Sequence, residues 1–221
     1  MSELLLTPAE ARVLAALVEK SMLTPQYYPM TVNALMLAAN QKTVRNPVMN
    51  LSEGETGAAL NTLERLRLAQ RDSSSSRALK WRHQMQHQML LKTTELGVLV
   101  TLMLRGPQTG PELRANALAL GGPADIEGLQ AALSSLHDRA QPLVTELPRG
   151  AGQKEARLAH LLCGAPQAGA ALLAPDVSGM TAPAPSAAAS ELVSQLAQRL
   201  QALEARVDEL EQQLGLKPGP E

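Results

Sequence analysis

The chain has 221 residues, 45% of them hydrophobic but with no Phe, one Trp and two Tyr, so any core must be built from Leu, Val, Ala and Met. A net charge of −1 selects no partner class, and a single cysteine, Cys163, excludes an internal disulfide and points to a reducing cytoplasm. Glu3, Glu10 and Arg12 break the apolar run that a signal peptide needs, and the longest helical apolar run, Gly97 to Leu104, is far short of a bilayer span; a cytoplasmic protein with no membrane partner is expected.

The first predicted helix lies in "TPAEARVLAALVEK", opened by a capping box at Thr7-Pro8-Ala9-Glu10 with proline at the first helical position. A second, short helix starts at Thr31 and includes Leu35. The connection that follows, "NQKTVRNPVMNLSEGE", is unusually long, polar and broken by Pro47. Ser52 and Glu55 form another capping box, so a third helix begins there and carries Leu60 and Leu63. A hairpin comes next: "LAQRD", a serine-rich turn, and "ALKWRH", whose alternation puts Leu79 and Trp81 on one face.

The same order then recurs. Val13, Leu14 and Leu17 align with Val98, Leu99 and Leu102 at one offset; a short helix starts at Thr109 with Leu113; a third carries Leu133 and Leu136; "LVTEL" and "EARLAHLL" form the second hairpin. Three helices followed by a β-hairpin, twice, predicts a mostly α protein with small β-hairpins (α+β), organised as two tandem winged helix-turn-helix domains over residues 1–90 and 91–164.

The segments "EARVLAALVEK", "TPQYYPMTVNAL" and "NQKTVRNPVMNLSE" resemble the signatures of the YceH family over roughly residues 4–164. The resemblance implies bacterial proteins with tandem winged-helix domains and no established biochemical role.

Residues 165–190 are dominated by Ala, Pro, Gly and Ser and read as a linker. Over 191–215, Val193, Leu196, Leu200, Leu203, Val207, Leu210 and Leu214 alternate spacings of three and four, which predicts a coiled-coil helix. Arg199 and Arg206 lie opposite Glu204 and Glu211 in a parallel pairing, so a homodimer through this seam is expected; docking of the helix on its own body is the alternative.

Residues 1–90 carry ten Lys and Arg against seven acids, whereas the tail from 165 is acidic, so an anionic partner would prefer the first part. The candidate nucleic-acid-binding residues are Lys42 and Arg45 in the long connection, ahead of a helix N-terminus that favours anions, with Arg65, Arg67, Arg71, Arg77, Lys80 and Arg82 on or near the first hairpin. The connection is expected to be an ordered surface loop, anchored by Val48, Met49 and Leu51 and presenting Lys42 and Arg45. Against ordinary major-groove readout, the third helices expose Glu53, Glu55, Thr56, Asn61, Glu64 and Arg65 in one copy, and Asp125, Glu127, Gln130, Ser134 and His137 in the other.

Catalytic signals are thin. His83 and His87 have helical metal-pair spacing but lack completing ligands, and Cys163 reads as packed; no metal, cofactor or enzymatic activity is expected. The leading expectation is a non-enzymatic nucleic-acid-binding, regulatory protein that uses the first hairpin and loop. The alternative is a protein-interaction scaffold of winged-helix docking modules without direct DNA contact.

Overall fold

The computed structural model describes residues 4–73, 78–149 and 155–165. Arg77, the segment from 166 to 190 and the heptads from Val193 through Leu196, Leu200, Leu203, Val207 and Leu210 to Leu214 lie outside the described residues.

Helix α1 (Pro8–Leu23) starts where Thr7 and Glu10 satisfy each other: the Glu10 N–H donates to the Thr7 hydroxyl and the Glu10 carboxylate accepts from the Thr7 N–H at 2.8 Å. Its apolar residues at 13, 14, 17 and 18 are wholly buried, each contributing roughly 1.5–3 kcal/mol by leaving water. Helix α2 (Val32–Ala39) is capped by Thr31, and α3 (Glu53–Arg65) by Ser52 with Glu55 as the reciprocal acceptor. Strands β1 (Ala69–Asp72) and β2 (Lys80–His83) pair antiparallel, with Arg71 opposite Trp81, and a bridge from Met30 to Trp81 widens the hairpin by one residue. Leu79 departs from the expected pattern: it precedes β2 and is exposed, while Trp81 alone enters the core.

A single turn of helix, α4 (Met85–Gln88), leads into the second copy. Helix α5 (Thr93–Arg105) begins at Lys92, whose N–H is held by Glu95 at 2.9 Å. Helix α6 (Gly110–Ala117) is capped by Thr109, and α7 (Ile126–His137) by Asp125, whose carboxylate accepts from the Gly128 N–H. Strands β3 (Val144–Leu147) and β4 (Arg157–His160) form the second antiparallel pair, widened by a bridge between Gln108 and Leu158. The copies match down to single bonds: Leu68 O accepts from Gln84 N in the first hairpin, and Leu143 O from Leu161 N in the second. Seven α-helices, two short 3-10 helices and two two-stranded sheets are thus the regular elements of the described residues.

One hydrophobic cluster runs through both copies, from Leu14, Leu17 and Leu60 to Leu99, Leu102 and Leu136. The chain stitches the copies together at two further places. Leu6 N–H donates to Leu162 O at 2.7 Å, with Leu4 held on both backbone groups by the Gln141 amide. Asn46, in the long connection of the first copy, donates its N–H to Leu104 O at the end of α5, at 2.8 Å.

Candidate functional site

The long connection from Asn40 to Ser52 is built around one buried arginine and a half-buried asparagine. Asn40 closes it as a clamp: its amide donates to Leu51 O and accepts from Leu51 N, both at 2.8 Å. Arg45 is buried, contrary to the expectation that it faces solvent. Its guanidinium meets the Glu19 carboxylate at 3.0 and 2.6 Å and also donates to Ala38 O, Val44 O and Gln41 Oε1. Five donors in a rigid fork suit one carboxylate and several carbonyls at once, which is why an arginine can be buried here. The expected apolar anchors play a smaller part: Val48 is exposed, and Met49 and Leu51 are half-buried.

Arg12 and Glu19 complete this seam and were not singled out from sequence. Arg12 is buried on α1 and donates to Pro47 O at 2.7 Å and to Ala39 O at 3.4 Å, tying the loop to the helix. Burial, and then the neighbouring Arg45, lower its pKa to about 10, which leaves it cationic at neutral pH. Arg105, at the end of α5, is lowered by burial in the same direction and raised by Glu19. A signal existed: Arg12 and Glu19 are opposite charges seven residues apart, on one face of a helix otherwise filled with Val, Leu and Ala.

The other predicted cations are distributed unevenly. Lys42, Arg65 and Arg67 are exposed, Arg65 with a bond to Thr62 Oγ1 at 2.9 Å and Arg67 at φ 60°. Arg71 is engaged inside its own copy: it lies 3.2 Å from both Glu64 Oε2 and Asn61 Oδ1, and its guanidinium stacks 5.3 Å from the Trp81 ring centroid. Arg82 pairs with Asp72 and covers the Tyr28 ring at 5.5 Å; Lys80 is half-buried opposite Asp72.

The third helices carry their acids outward. Glu53 and Glu55 on α3 are exposed, as are Asp125 at the cap of α7 and Glu127, Gln130, Ser134 and His137 along it. Thr56 is the exception to the expected face. It is wholly buried, and its hydroxyl returns to Ser52 O at 2.9 Å.

His83 and His87 do not share a helix, since His83 ends β2 and His87 sits in α4. His83 Nε2 lies 3.1 Å from Ser21 Oγ, and burial lowers its pKa. Cys163 is exposed rather than packed. Among the described residues no group of three or more His, Cys, Asp or Glu is placed to hold a metal, and no helix is long and apolar enough to cross a membrane.

Residues 6–153 match the family model described as protein of unknown function, DUF480. A UPF0502 protein of Burkholderia ambifaria is 42% identical over 214 residues, covering 96% of this chain and 90% of that protein. A UPF0502 protein of Pelobacter propionicus is 48% identical over 162 residues, covering 73% of this chain and 74% of the relative. One from Burkholderia orbicola is 48% identical over 159 residues, covering 72% and 67%. The chain belongs to this DUF480 (UPF0502) family.

Proposed function

We propose that this DUF480-family chain is a non-catalytic protein-interaction scaffold made of two winged helix-turn-helix units. The winged-helix reading is supported by the repeated order of three helices and a hairpin, each hairpin widened by a bridge from the residue just before the N-cap of the second helix. One observation carries the docking role: the third helices expose Glu53 and Glu55, and Asp125 and Glu127, at the ends that would meet phosphates in a DNA-bound winged helix. The paired state of Arg45, Arg71 and Arg82 points the same way.

The test is fluorescence anisotropy of the full chain on random-sequence duplex DNA at about 50 mM and 200 mM salt. The scaffold reading expects no saturation below about 100 µM, the weak end of ordinary non-specific binding. Micromolar affinity that collapses with salt overturns it.

A second reading, weak non-specific duplex binding by the first copy, is favoured by the exposure of Lys42, Arg65 and Arg67 beside the half-exposed Arg71 and Arg82. On that reading the affinity is on the order of 10⁻⁴ to 10⁻⁶ M, and alanine at Arg65, Arg67 and Lys80 flattens its salt dependence. Both readings include a cytoplasmic chain that pairs in parallel with a second copy through the apolar heptad positions Val193 to Leu214. Sedimentation at several concentrations, against a chain ending at Ser190, decides that pairing; equal association by the two removes it.

A further inference from the structure

We draw no further inference here: the strongest candidate, the pocket beside α4 lined by His83, His87 and Leu90, offers two imidazoles with no third His, Cys, Asp or Glu placed to complete a metal site among the described residues, and nothing in the structure shows what covers it.

Discussion

The Glu19 carboxylate receives the Arg45 guanidinium at 3.0 and 2.6 Å, with both side chains inside the protein. Glu19 belongs to α1 and Arg45 to the connection before α3, and the next residue, Asn46, is bonded to the end of α5. The long connection is therefore a strap. It joins α2 to α3 within the first copy, is bonded to the second copy at Leu104 O, and is pinned at its centre by an ion pair.

Removing Arg45 leaves the buried Glu19 carboxylate with Lys20 Nζ, at 3.4 Å, as its ion-pair partner. Arg45→Ala should therefore lower the unfolding free energy by about 3 kcal/mol, the low end for breaking a buried pair. Lys42→Ala, three residues earlier and exposed, should stay within about 0.5 kcal/mol. Urea denaturation of the two variants checks this. If both cost the same small amount, the pair is not what holds the strap.

The residue before Arg45 carries the strain of the turn. Val44 has φ 62°, a conformation that a β-branched side chain adopts at a cost of roughly 1–3 kcal/mol. It is 41% exposed, so little burial is lost on replacement. Asn tolerates the left-handed region, and Val44→Asn should raise stability by about 0.5–1 kcal/mol. A drop in the urea midpoint would mean that the valine contributes packing that outweighs its strain.

The fold was largely legible in the sequence because its signals are local. Thr7, Thr31, Ser52 and Thr109 were read as helix starts, and each caps a helix through its own hydroxyl. The candidate site was less legible because charge alone does not give direction. Arg45 and Lys42 sit in the same polar stretch, yet one is inside and the other outside; what separates them is Glu19, distant in sequence and disguised as the polar end of an amphipathic helix. The engagement of Arg71 by Asn61 and Glu64, and of Arg82 by Asp72, likewise depends on where α3 meets the hairpin.

Each return strand ends on a histidine, His83 in one copy and His160 in the other, each with a buried Nδ1 that meets no hydrogen-bond partner among the described residues. Burial lowers the His160 pKa to about 4 and moves His83 in the same direction. The unfolded chain takes up a proton near pH 6.5 while the folded chain refuses it. The stabilisation is therefore complete above pH 6.5 and is lost as pH falls toward 4. Urea midpoints between about pH 7 and 5, above the carboxylate range, should decline for wild type and decline less for His160→Leu. Identical slopes for the two would rule out His160 as a source.

Glycine in a helix usually invites alanine, and here two glycines should answer that substitution with opposite signs. In the interior of an exposed helix, Gly→Ala gains about 0.8–1 kcal/mol from backbone entropy alone. Gly54, the second residue of α3, has open space, with Ser52 Oγ at 4.0 Å, so Gly54→Ala should be stabilising by less than that interior gain. Gly97 on α5 lies beneath the turn that follows α6. A Cβ there would come within 2.5 Å of Leu120 O and 2.8 Å of Gly122 N. Both are backbone atoms, so no side chain can rotate away, and Gly122 is itself pressed against Ala117. Accommodating the methyl means lifting the turn from α5, at an overpacking cost of typically 1–3 kcal/mol that exceeds the helical gain. Gly97→Ala should therefore lower stability, by up to about 2 kcal/mol. The two variants, compared by urea denaturation, decide the point: stabilisation at both positions would show that the 118–122 turn is free to move and that Gly97 is not required for its close approach.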